Sequence, residues 1–303
     1  MNRHELVDVG TVGLAALLLG DAKFFARSVD APTLVDVAAE AEADDVGDIA
    51  RAGQHDVTVE TPVGDFEAAY LPWQWRGPEY PTLIYHHGSG EDPFDFGRFA
   101  SSSFRRLFVA SAREIPANVV AVRAAFHGGS NAAYARAMGE MENFVGMLAA
   151  SVGLLEALAT RAGERTDGPV VLAGISLGGW AVNLHRARFG TADGYAPIFA
   201  GAALGETFVS SVYRWVTGAT ARDRPERVRE TLDFERAFTA VGADDCRPLL
   251  ARYDRIVELE RQRRSYEDLP LSVLEKGHTT GSLATRTLRA HVLSALEGTT
   301  VDR

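Results

Sequence analysis

The sequence predicts an α/β fold in which a mostly parallel sheet carries helices on both faces. Three observations carry that prediction. Runs such as Val119-Val120-Ala121-Val122 and Val170-Val171-Leu172-Ala173 are apolar throughout rather than alternating, as strands buried on both faces are. Segments with helical apolar spacing separate these runs, which is the order that parallel crossovers require. Several of the runs also end in glycine turns, among them His87-Gly88 and Ser176-Leu177-Gly178.

Taken in order, residues 1–50 read as an extension of two or three helices with a polar, acidic join around 40–48. Within it, residues 9–20 have the length of a signal-peptide apolar region, but Glu5 and Asp8 spoil the basic flank such a region needs. The stretch is too short to span a membrane. Leu6, Val9, Val12, Leu14, Leu17 and Leu18 instead read as one face of an amphipathic helix. The remaining residues, 51–303, form the main domain.

That domain opens on a hairpin, with alternation over 56–61 and 66–71 across the turn at Pro62-Val63-Gly64-Asp65. A buried-type strand over 81–88 ends in a glycine loop, and a helix is expected over 94–112. A further strand at 118–126 closes on His127-Gly128-Gly129. One long helix over 134–162 then places Met138, Met141, Val145, Leu148, Val152, Leu155 and Leu158 on one stripe. After the strand at 170–175 come a helix to about Arg188, a strand in 194–204 and a charge-rich helical insertion at 205–245. The pattern resumes with a strand at 248–254, a helix at 256–266, a strand at 269–275 and a helix at 282–296.

Composition bounds the function. The 303 residues carry a net charge of -10, which argues against nucleic acid or an anionic membrane surface as the partner. Only Lys23 and Lys276 are lysine, a pattern that suits either a high-salt interior or a biased genome. Cys246 is the single cysteine, so there is no intramolecular disulfide and no multi-cysteine metal site. A cytoplasmic protein acting on a small-molecule substrate is expected, and nothing in the letters indicates its oligomeric state.

In a parallel sheet the chemistry collects at the carboxyl ends of the strands. The strand at 170–175 ends in Gly174-Ile175-Ser176-Leu177-Gly178, a strand-to-helix turn in which the glycines remove Cβ atoms that would collide as the chain doubles back. Asp254 directly follows the apolar run at 248–253, with Asp244, Asp245 and Glu258 as nearby rivals. His278 follows the last strand. His185 and His291 fall inside helices and read as ordinary helix residues. A zinc site from His86, His87 and Asp92 is disfavoured, because adjacent histidines on a strand point to opposite faces.

The order Ser176, Asp254, His278, each just past its own strand, resembles the α/β-hydrolase superfamily over roughly four-fifths of the chain. The Gly-Ile-Ser-Leu-Gly-Gly elbow, the long helix after the fourth connection and a small cap look closest to the branch of carboxylesterases, acetyl esterases and prolyl-oligopeptidase-like hydrolases. The resemblance implies a nucleophile at Ser176, a general base at His278 and an orienting carboxylate at Asp254. It further implies an oxyanion hole from the backbone N–H groups of Leu177 and Ser89, with the His127-Gly128 pair as a second, less suited loop. Residues 205–245 would form a cap, and no metal or organic cofactor is expected. Trp73, Trp75, Phe126, Trp180, Tyr213 and Trp215 are more often core than substrate contacts, those of the insertion having the better claim. Ester hydrolysis is the expected reaction. A peptidase or acyltransferase with the same three residues, or a ligand-binding protein with little turnover, is the alternative.

Overall fold

The computed structural model describes residues 1–98, 100–111, 114–242 and 245–301. Among these residues nine strands form one sheet in the order β1-β2-β3-β5-β4-β6-β7-β8-β9. They are β1 (Glu42–Ala43), β2 (His55–Thr61), β3 (Gly64–Gln74), β4 (Thr82–His86), β5 (Asn118–Arg123), β6 (Val170–Ile175), β7 (Gly194–Ile198), β8 (Leu249–Ala251) and β9 (Ser272–Leu274). The first three pair antiparallel and β3 joins β5 antiparallel; from β5 to β9 every pairing is parallel. All residues of β4, β6 and β7 are buried, as their unbroken apolar runs require.

Twelve helices accompany the sheet among the described residues: α1 (Arg3–Leu19), α2 (Leu34–Ala39), α3 (Asn131–Ala137), α4 (Met141–Arg165), α5 (Leu177–Arg188), α6 (Leu204–Val209), α7 (Ala219–Arg222), α8 (Pro225–Leu232), α9 (Glu235–Thr239), α10 (Leu259–Gln262), α11 (His278–Ser282) and α12 (Thr285–Val301). One core joins α2, α4 and α5 to the sheet. The other lies across the sheet, where Leu288, Val292 and Leu296 of α12 meet Phe104, Leu107 and Phe108. The helix α4 is long and apolar enough to cross a membrane, yet most of it is buried in this first core.

Several elements differ from the sequence reading for local reasons. The two-residue β1 lies in the acidic join at 40–48, where Glu42 and Ala43 add to the sheet edge beside Glu60 and Val59. The stripe on α1 is not the apolar one. Leu14, Leu17 and Leu18 are exposed, and the face turned inward carries His4, Asp8 and Val12. Residues 94–98 and 100–102 are irregular, because Asp92 accepts from the Phe94 amide and Asp95 from the Gly97 amide, local bonds that compete with a helix. Among the described residues of the expected 94–112 segment, helical structure is confined to Ser103 and Phe104 and a π-helical turn over Arg105–Val109; Phe99 and Ala112 lie outside the described residues. The long helix splits into α3 and α4 at Gly139, where the Gly139 carbonyl takes the amide of Arg27 and the Met141 amide donates to Ser28. The helix expected at 256–266 shortens to α10 and a 3-10 turn.

Candidate active site

Ser176 sits between β6 and α5 with φ 53° and ψ -111°, a conformation that costs a non-glycine residue on the order of 1–3 kcal/mol. The surrounding backbone holds it there: its amide donates to Ile198 at 2.8 Å and its carbonyl accepts from Trp180 at 3.0 Å. The turn can be this tight because its glycines touch backbone. A Cβ on Gly174 would strike Gly178, and one on Gly178 would strike the His86 carbonyl. This is the steric role the sequence assigns to those two glycines.

Two other strand ends converge on Ser176. The His278 Nε2 lies 3.1 Å from the Ser176 Oγ, and its Nδ1 lies 2.7 Å from the Asp254 Oδ2. The second Asp254 oxygen accepts from the amides of Ile256 at 2.8 Å and Val257 at 2.7 Å, which fixes the buried carboxylate in the turn after β8. Burial works to lower the His278 pKa, but the Asp254 carboxylate and the more distant Asp8 outweigh it and leave it above the ordinary value. Burial pushes the Asp254 carboxyl up, against the opposing pull of the His278 charge and the Val257 amide.

The loop after β4 supplies the opposite wall. No acceptor among the described residues takes the amide hydrogens of Leu177 or Ser89, while the neighbouring Gly178 amide donates to His87 and the Gly90 amide to His127 Nε2. The Ser89 hydroxyl pairs with the Tyr134 hydroxyl at 2.7 Å. His87 Nε2 in turn accepts from the Ala124 amide at 3.1 Å, so both histidines serve as neutral acceptors that shape the loop. Burial pushes His127 down to about 4 and His87 well below its ordinary value. The rings of His86 and His87 stack at 4.9 Å instead of facing apart, because β4 ends at His86 and strand alternation ends with it. No cluster of three or more metal-ligating side chains occurs among the described residues.

A cavity of about 430 Å³ opens beside Ser176 and His278. Its polar end is the 88–91 loop, and its apolar wall includes Phe24, Phe144, Trp180, Leu204, Phe208 and Tyr213.

This arrangement can be set beside known proteins. No protein-family model matches the sequence, and no characterised protein sequence matches it significantly. Solved structures do match. An acylaminoacyl peptidase from Pyrococcus horikoshii superposes with a TM-score of 0.52 at 15% identity, covering 80% of this chain and 40% of that one. Acetyl xylan esterase 1 from Thermoanaerobacterium sp. gives 0.52 at 15% identity over 94% of this chain and 93% of its own. An esterase from Pyrococcus furiosus gives 0.52 at 13% identity over 81% and 92%. The chain has the α/β-hydrolase fold. It spans less than half the length of the peptidase it matches.

Within this α/β-hydrolase fold the rival residues have other partners. Asp245 is bound by Arg186 at 2.8 Å, Glu258 lies 3.6 Å from Arg255, and Asp244 is outside the described residues. His185 lies between Glu156 and Tyr195 in the core, and His291 bonds the Arg247 carbonyl. Of the aromatic candidates, Trp180 and Tyr213 line the cavity, whereas Trp73, Trp75 and Phe126 pack into the cores and Trp215 is partly exposed. Sequence reasoning missed Phe24, Phe144 and Phe208 as wall residues. It also missed Asp8, a buried carboxylate whose amide partners include that of His278. The signal for Asp8 was present as a charge four residues from both His4 and Val12, on one face of α1.

Proposed function

We propose that this protein is a serine hydrolase that cleaves esters carrying an apolar acyl or alkyl group. The observation that carries the reading is the hydrogen-bonded chain Ser176–His278–Asp254 at the mouth of an apolar cavity. His278 takes the hydroxyl proton as the Ser176 Oγ attacks the ester carbonyl. The charge that develops on the carbonyl oxygen meets the amides of Leu177 and Ser89. Collapse expels the alcohol, which His278 protonates, and leaves an acyl group on Ser176. Water activated by the same imidazole then releases the acid. Asp254 keeps the proton on Nδ1, so that Nε2 is free to act, and stabilises the imidazolium.

Proteins of this fold include both esterases and a peptidase, so the bond cleaved is argued from the cavity wall, whose aromatic and aliphatic surface suits an apolar group. A fluorophosphonate probe should label the wild type and leave Ser176→Ala unlabelled. An unlabelled wild-type protein would overturn the hydrolase reading, and a labelled Ser176→Ala protein would move the nucleophile elsewhere. p-Nitrophenyl esters of increasing chain length, run against aminoacyl amides, distinguish ester from peptide cleavage.

A further inference from the structure

The N-terminal helix reaches the two loops that hold His278 and Asp254. Asp8 of α1 is completely buried. Its Oδ2 accepts from the His278 amide at 2.8 Å and from the Arg255 amide at 3.2 Å, and its Oδ1 accepts from the Thr279 amide at 2.9 Å. One carboxylate therefore bonds the residue after Asp254, His278 itself and the residue after His278. Its neighbour on the helix, His4, bonds the Thr280 hydroxyl at 2.8 Å and stacks on Tyr253 with ring centroids 5.9 Å apart. We propose that Asp8 is a positioning residue for the acid–base pair: it locks the Asp254 and His278 loops in register and sets a second carboxylate against the backbone amide of His278.

The choice of a carboxylate is the informative part. An anchor between two loops and a helix can be apolar, and burying a carboxylate is costly unless it is fully hydrogen-bonded. Arg255 gives Asp8 only its amide and turns its guanidinium toward Glu258 at 3.6 Å. The Asp8 carboxylate is thus held by three backbone amides, one of them that of His278. The groups bonded to or packed on the His278 ring are Asp254 from the turn after β8, Ser176 from the elbow and the Phe199 ring at 5.6 Å, while Asp8 from α1 bonds the backbone amide of the same residue. Lys276 lies two residues upstream in the same loop, and His4 approaches only through Thr280. Asp254 and Asp8 both favour the charged imidazole. Imidazolium is the form His278 takes when it accepts the Ser176 proton.

This inference rests on the serine-hydrolase reading for its consequence, but its test need not. The ionisation of His278 can be followed by NMR of the imidazole, assigned by comparison with His278→Gln, whether or not the protein turns anything over. In Asp8→Asn an amide carbonyl facing His278 and Arg255 keeps two of the three bonds and removes the charge. The His278 midpoint should fall by about one pH unit. The plateau rate of fluorophosphonate labelling should fall roughly tenfold in parallel. Asp8→Glu restores the charge and should restore the midpoint toward the wild-type value.

A second route leaves Asp8 in place. A Cβ on Gly277 would lie 2.7 Å from the Asp8 Oδ2, so Gly277→Ala displaces the carboxylate and should move the His278 midpoint in the same direction. If Asp8→Asn does not fold, Gly277→Ala decides. An unchanged His278 midpoint in the folded variants overturns the proposal. A wild-type protein that resists the probe overturns the hydrolase reading alone, and the NMR midpoints still decide the role of Asp8.

Discussion

Asp254 holds His278 with one carboxylate oxygen, 2.7 Å from Nδ1, while its other oxygen is occupied by the amides of Ile256 and Val257. The acid is therefore fixed by its own loop before it meets the imidazole. Asp254→Asn preserves the shape but offers His278 the wrong hydrogen-bonding pattern, favouring the tautomer that cannot take the Ser176 proton. The expected loss in kcat is about 10⁴-fold, with KM for a p-nitrophenyl ester little changed. A variant with near-normal kcat would assign the orienting role to another carboxylate.

The pH profile follows from the sign of the His278 shift. Only the neutral imidazole can accept the serine proton, so activity falls away below its pKa, is half-maximal at it and levels off above it. Because Asp254 and Asp8 outweigh burial and hold that pKa above the ordinary value of 6.5, the midpoint of kcat/KM should lie on the alkaline side of 6.5. A profile that falls with pH over this range would remove His278 as the base.

The cavity wall makes a prediction about substrate size. Phe208 is buried at the cavity edge and packs against Phe24, Phe25 and Phe144, with ring centroids 4.8–5.4 Å away. Phe208→Ala would remove wall surface and leave a void, at a cost of about 3–5 kcal/mol in stability. Among p-nitrophenyl esters the variant should shift its preference toward longer acyl chains. An unchanged chain-length profile in the folded variant would mean that the acyl group lies elsewhere.

Much of this site was legible because each of its chemical residues follows an apolar strand, and strand ends are where a parallel sheet gathers chemistry. Ser176, Asp254 and His278 each follow such a run, and it is their order, which resembles that of the α/β-hydrolase superfamily, that singled them out. What stayed hidden depends on contacts between distant segments. Phe24 reaches the cavity because its amide bonds the Val216 carbonyl and its own carbonyl accepts from Gly218, pairings that no local pattern encodes. The same holds for α1. Its most hydrophobic letters, Leu17 and Leu18, face outward, and the polar His4 and Asp8 face inward because the His278 loop offers unpaired amides and a hydroxyl there. Apolar periodicity reports burial against a core and is blind to burial against exposed backbone donors.

The last prediction concerns the histidines that shape the loop after β4. His127 accepts the Gly90 amide through Nε2 while its Nδ1 faces the Ala125 carbonyl, so it can hold the loop only when neutral. Burial pushes its pKa down to about 4, whereas in the unfolded chain it protonates near 6.5. Below 6.5 the unfolded chain therefore binds a proton that the native protein refuses. Stability falls as the pH drops through that value and stops falling, for this group, below about 4. The full effect is about 3 kcal/mol. His127→Gln keeps an acceptor for Gly90 and cannot titrate. In urea unfolding compared between about pH 7 and pH 4.5, the variant should lose roughly 2 kcal/mol less than the wild type. Equal losses in the two proteins would show that His127 is not held neutral by the fold.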